Sequence, residues 1–223
     1  MRSFQSVENK IKESDFFLRC LEVTKGPEII YYLSAYLSAA RSITFAMQVA
    51  MKGIADFEEW YKLQQQKLKE DPIALYLLEV RNYILHEGEY PIRTLLFNSS
   101  HSLGGFFFTQ IPGKDQLETP TGEVFETCRQ YMIVLLKIIR ECLQNFGYII
   151  DPVLRFNYVI STKKNTIEDI EEELGFPRGW TKIEGLSDEN RIGVLQREIA
   201  KDTISIDDVF NKYLGTDRLG NFM

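Results

Sequence analysis

The hydrophobic positions along this chain fall mostly at helical spacing. Near residues 6–24, Phe16, Phe17, Leu18 and Leu21 are mixed with charged side chains in a stretch that reads as a first helix. The stretch "KGPEIIYYLSAYLSAARSITFAMQVAMKG" opens on Gly26-Pro27 and closes at Gly53, with proline at the first helical position and glycine past the end. Ala35, Ser38, Ala39 and Ser42 form a small-residue stripe along it, against which another helix can pack closely. "DFEEWYKLQQQKLKE" predicts a polar third helix anchored by Phe57, Trp60 and Leu63. Asp71-Pro72 supplies an N-cap and a first-turn proline for a fourth, and Gly88 is its natural stop.

The helical pattern breaks at 89–118. Two apolar runs separated by Ser, Asn and Gly read there as an excursion with the marks of a β-hairpin, with His101 in its solvent-facing polar turn. From Thr121 to Phe146 the period returns. Phe125, Cys128, Met132, Leu135, Ile139, Cys142 and Phe146 follow steps of three and four, the seam of a core helix or of a dimer contact. After Asp151-Pro152, "RFNYVIST" reads as extended. "TIEDIEEELGF" reads as a short acidic helix capped by Thr166, with its carboxylates on a solvated face, and one or two further helices follow. The expected architecture is mainly α. Residues 1–150 form an up-and-down helical bundle carrying the 89–118 insertion, and residues 151–223 a mixed, acidic C-terminal extension.

Charge narrows the range of functions. Residues 1–165 hold 19 Lys and Arg against 19 Asp and Glu, whereas 166–223 hold 7 against 13, so the tail carries the whole net charge of −6. A protein that coats nucleic acid needs a broad basic surface, which is missing here. A small basic patch around one phosphate remains open. Cys20, Cys128 and Cys142 have no metal-ligand spacing and read as reduced thiols, so neither metal nor cofactor is expected. No apolar run reaches membrane-span length and the N-terminus lacks an apolar signal core. The expectation is therefore a cytoplasmic protein.

The candidate chemistry lies in "LLEVRNYILHEGEY", residues 77–90. On a wheel of roughly 100° per residue, Arg81 falls within the apolar arc of Leu77, Val80 and Ile84, whereas Asn82 and His86 lie one turn apart on the polar side. A guanidinium in an apolar stripe needs a carboxylate or an anionic ligand. Asp15, Glu22 and Glu59 are the candidate structural partners; a phosphate is the functional one. His86, in the last turn where the helix dipole favours a cation, is the candidate general acid/base, and Asn82 its orienting amide. These three suit attack of a ribose 2′-hydroxyl on its neighbouring phosphodiester.

"RNYILH", Arg81-Asn82-x-x-x-His86, resembles the R-x4-6-H signature of HEPN domains, over roughly residues 10–148. The resemblance implies a metal-independent endoribonuclease that leaves a 2′,3′-cyclic phosphate and a 5′-hydroxyl, with a composite site built from both copies of a homodimer. Arg81 would bind the phosphate and stabilise the transition state, His86 act as acid/base and Asn82 support them. It further implies a defence or toxin setting, with RNA as substrate and an antitoxin or regulatory protein as partner. Gly88 stands where a subset of these toxins carries a tyrosine open to adenylylation. Non-catalytic members of the family imply the alternative, a helical module that binds a protein or a nucleotide.

Overall fold

The computed structural model describes residues 3–96, 103–162, 166–202 and 204–222, and they are mainly helical. Helices α1 (Gln5–Val23), α2 (Ile29–Met51), α3 (Phe57–Glu70) and α4 (Pro72–Glu87) precede a small antiparallel hairpin, β1 (Ile92–Leu96) and β2 (Leu103–Phe108). The hairpin pairs Ile92 with Phe108 and Leu95 with Gly105, so the excursion expected at 89–118 is a β-hairpin. Its tip, including His101, lies outside the described residues. Then come α5 (Val124–Ile150), α6 (Pro152–Thr162), α7 (Ile167–Leu174), α8 (Asp188–Ala200) and α9 (Asp207–Leu214).

Helix α5 is the axis of the molecule. It is 27 residues long, about 40 Å at ~1.5 Å per residue, and it contacts α1, α2, α4, β2, α6 and α9. Its seam residues Cys128, Met132, Leu135, Ile139, Cys142 and Phe146 are buried, and Phe125 is half-buried. Tyr131, Leu136, Ile138 and Leu143 are buried as well, so α5 buries a wider arc than a two-helix seam does, as a helix surrounded by several neighbours must. Polar side chains fix its register. Tyr36 Oη of α2 donates to the Cys128 carbonyl at 2.7 Å. Gln64 Nε2 of α3 donates to Glu141 at 2.8 Å.

Two hydrophobic clusters result. The larger unites α1–α5 with Phe108, Ile204, Ile206, Val209, Phe210 and Tyr213. The smaller gathers Phe156, Val159, Ile167, Ile170, Leu195 and Ile199 from α6, α7 and α8. The chain thus leaves the bundle at α6, builds a second core, and returns through α9. Polar contacts hold the return in place. Asp15 of α1 accepts from Tyr213 Oη at 2.7 Å and Lys212 Nζ at 2.9 Å, and Glu8 accepts from the Ser205 backbone at 3.0 Å.

Four local expectations need correction. Leu63 does not anchor α3: it is 64% exposed, and Tyr61 and Gln64 are buried beside Phe57 instead. Helix α2 starts at Ile29 rather than at Pro27, because Gly26–Glu28 first make a tighter turn in which Ile29 N–H reaches the Gly26 carbonyl. "RFNYVIST" is helical rather than extended. Asp151 Oδ1 accepts from the backbone N–H of Val153 and Leu154 at 2.9 and 3.0 Å, which caps α6, and Phe156 and Val159 then fall on one buried face. The acidic helix α7 has the Thr166–Asp169 capping box, but its carboxylates are not all solvated. Glu171 is fully buried. It accepts from the backbone N–H groups of Gly179, Trp180 and Thr181, and from Thr181 Oγ1 at 2.5 Å.

Candidate functional site

Helix α4 sets the site, and local signals bound it. Asp71 Oδ1 accepts from Ala74 N–H at 2.8 Å, Pro72 occupies the first turn, and Gly88 closes the helix at φ 73°, a left-handed conformation that suits glycine. Ala74, Tyr76, Leu77, Val80 and Ile84 face the core. Tyr76 ties the helix to the hairpin by donating to the Thr109 carbonyl at 2.6 Å, with its ring edge-on to Phe108.

Arg81 projects beside that core face. It is half-buried in a narrow slot between α2 and α4, lined by Ser34, Leu37, Ser38, Ile84 and Leu85. None of the expected carboxylates reaches it. Asp15 is engaged with Lys212, Tyr213 and Arg19, and among the described residues Arg81 forms no ion pair. Its Nε is buried without a hydrogen-bond partner. Its one side-chain bond is a long 3.4 Å contact from Nη1 to Asn82 Oδ1. The structure therefore brings Arg81 and Asn82 together.

His86 is not brought to them. It is exposed in the last turn of α4, about 140° around the helix from Arg81 at ~100° per residue. Within one chain, His86 and Arg81 point to different sides of the same helix.

Two residues that sequence reasoning missed complete the neighbourhood. Arg41 is the only charged residue between Ile29 and Met51. It sits one turn beyond Ser38, a wall of the Arg81 slot, so the two guanidiniums flank the same strip of α2. Arg41 stacks over the Phe45 ring at 4.3 Å and donates to Thr44 Oγ1 at 3.2 Å. Tyr131 of α5 lies behind them. Burial pushes its hydroxyl up to about 12, against the opposing pull of Arg41 and Arg81, both close enough to favour the phenolate. The one available signal was the same oddity that marks Arg81: a lone arginine in an apolar helix.

Among the described residues, no group of three His, Cys, Asp or Glu side chains gathers as a metal would need. The three cysteines are free; burial pushes the Cys142 thiol up to about 12 and Cys128 higher still, so neither is a thiolate at neutral pH. No described helix is long and apolar enough to cross a membrane.

Comparison with known proteins corrects one expectation outright. The family model that matches is described as bacteriophage lambda protein ea47, over residues 15–98. That stretch includes the whole of α2, α3 and α4, and it contains "RNYILH". The likeness is therefore to a phage protein family and not to HEPN domains. The R-x4-6-H pattern is short, and six residues alone do not carry a family. No curated protein and no solved structure matches.

Proposed function

We propose that this protein cleaves RNA in the cytoplasm, without a metal, at a site assembled from Arg81, Asn82 and His86 of two copies of the chain. One observation carries the reading. Arg81 is a half-buried cation with a buried, unpartnered Nε and no carboxylate among the described residues. A guanidinium so held has spare donors in the forked geometry that suits a phosphate.

The chemistry follows from the side chains. One His86, as the neutral base, takes the proton of the ribose 2′-hydroxyl. The 2′-oxygen attacks the adjacent phosphorus and the bond to the 5′-oxygen breaks. A second, protonated imidazole returns a proton to the leaving 5′-oxygen, giving a 2′,3′-cyclic phosphate and a 5′-hydroxyl. Arg81 neutralises charge on the phosphoryl oxygens as they crowd. Taking the second imidazole from the His86 of a second copy makes the site dimeric, and the 140° between Arg81 and His86 favours the same arrangement. Exposed Leu85, at 57%, lines the Arg81 slot, and exposed Tyr31, at 68%, lies one helical turn before Ser34 of its wall; the pair suits a subunit contact.

The test is cleavage of mixed RNAs in excess chelator. Wild-type protein is expected to produce 2′,3′-cyclic ends, His86→Ala and Arg81→Ala to lose about 10²–10⁴-fold in rate, and an equilibrated mixture of the two variants to regain part of the activity. Wild-type protein that leaves RNA intact would overturn the reading. The same exposed apolar pair favours a second reading, a non-catalytic helical module that binds a protein partner. That reading stands if the protein pairs with another chain and no RNA is cut.

A further inference from the structure

One face of α2 runs from the Arg81 slot to a cleft that the catalytic reading leaves unused. Ser38, Arg41, Phe45 and Gln48 follow each other at steps of three and four, so they line a single stripe, and Lys52 stands just past its end as the C-cap of α2. Between Ser38 and Gln48 the stripe covers about 15 Å at ~1.5 Å per residue. At its far end, a cleft of about 390 Å³ opens between α2 and α3, lined in part by Gln48, Lys52, Phe57, Tyr61, Lys62 and Gln65.

The lining has the composition of a nucleobase site. Phe57 and Tyr61 are buried and nearly parallel, with ring centres 5.6 Å apart, so they give the cleft a rigid aromatic wall. Gln48 spends its amide N–H groups on Tyr61 Oη at 3.0 Å and the Thr44 carbonyl at 3.2 Å, which leaves its amide oxygen as the atom that can accept from a ligand. Two lysines and one carboxylate, Glu58, lie among the lining residues, a balance of +1. Midway along the stripe, the Phe45 ring is 49% exposed, with the Arg41 guanidinium over it. An exposed aromatic beside cations, leading into an aromatic cleft of nucleobase size, is the pattern by which proteins hold single strands.

We infer that the Arg41–Phe45–Gln48 face of α2 is a track for single-stranded RNA, with a base stacked at Phe45, phosphates on Arg41 and Lys62, and a further base in the α2/α3 cleft. The inference rests on the ribonuclease reading, since it supplies the approach of the substrate to Arg81. It also accounts for an acidic chain that lacks a broad basic surface: the cations form a line rather than a field.

The test separates binding from cleavage. A labelled, single-stranded 2′-O-methyl oligoribonucleotide has no free 2′-hydroxyl, so its fluorescence anisotropy reports binding alone. Circular dichroism checks that each variant is folded. Phe45→Ala is expected to weaken binding about tenfold. Lys62→Ala is expected to lower the dependence of log affinity on log salt by about 0.7. Lys182→Ala, beside the second core, is expected to bind as wild type does. Equal binding by all variants, absence of binding by the wild type, or equal losses at Lys182 would overturn the track. If the oligonucleotide binds as expected while unmodified RNA stays intact, the track holds and the catalytic reading fails. If RNA is cut and Phe45 and Lys62 prove indifferent, the reverse is true.

Discussion

At the scale of single residues, Arg81 works against the stability of the helix that carries it. A buried donor without a partner costs about 1–3 kcal/mol, and Arg81 Nε is such a donor. Methionine has similar reach and no donors. Arg81→Met is therefore expected to stabilise the protein by about 1 kcal/mol, read as a higher midpoint in thermal or urea unfolding, while abolishing the proposed RNA cleavage. A destabilised Arg81→Met variant would mean that the guanidinium is structural after all. Arg81 was legible in the sequence because a helical wheel sets it among Leu77, Val80 and Ile84. Arg41 was not, although it is equally alone in α2. Its meaning depends on which face of α2 meets α4, and a single helix's periodicity does not reveal that pairing. The same limit applies to the sought carboxylate. Asp15 was a sound candidate by charge, but α9 reaches it first.

At the scale of elements, Asp-Pro occurs twice as a helix start, with different outcomes for prediction. Asp71-Pro72 opens α4 as its pattern suggests. Asp151-Pro152 opens α6 by the same device, yet the β-branched and aromatic run that follows favours an extended reading. What decides is tertiary. Asp151 is fully buried, caps α6 through Oδ1, and binds Arg218 through Oδ2 at 2.8 and 3.0 Å. Substitution at the two sites is expected to differ accordingly. Asp71→Ala removes a cap and costs about 1 kcal/mol. Asp151→Ala removes a cap and leaves the buried Arg218 with Asp207 as its ion-pair partner, costing about 3 kcal/mol. Denaturant midpoints measured side by side check the ratio; equal losses would show that the Arg218 bridge contributes nothing.

At the scale of the whole molecule, the helical class, the hairpin and most element boundaries were legible, because periodicity and caps are local. The division into two cores was not, because it depends on where loops fold back. Glu171, Glu172 and Glu173 look alike in sequence, and only the return of residues 179–181 over α7 makes Glu171 internal. Burial alone raises that carboxyl, but hydrogen bonds from Thr181 and Gly179, with Arg191 nearby, outweigh it and hold the group below the usual glutamate range. A carboxyl lowered in the folded state adds stability above its unfolded value, and that stability is lost as pH falls through the folded one. The midpoint of thermal unfolding is therefore expected to fall as pH drops below about 4.5, and Glu171→Gln to be less stable at neutral pH and to show a shallower acid dependence. A Glu171→Gln protein with an unchanged pH profile would remove Glu171 from the acid response.

The return of α9 to α1 has a kinetic consequence. Asp15 and Tyr213 are 198 residues apart in the chain, so their contact closes one of the longest loops this polypeptide can form. Such closure costs entropy that the short-range contacts of α1–α2 and α3–α4 do not. That cost favours assembly of the bundle before α9 docks on it. Contacts made after the rate-limiting step leave the rate of folding nearly untouched and set how long the folded state survives. If α9 docks after that step, the hydrogen bonds from Lys212 and Tyr213 to Asp15 form a closing clasp that sets the lifetime of the native molecule rather than the speed of its formation.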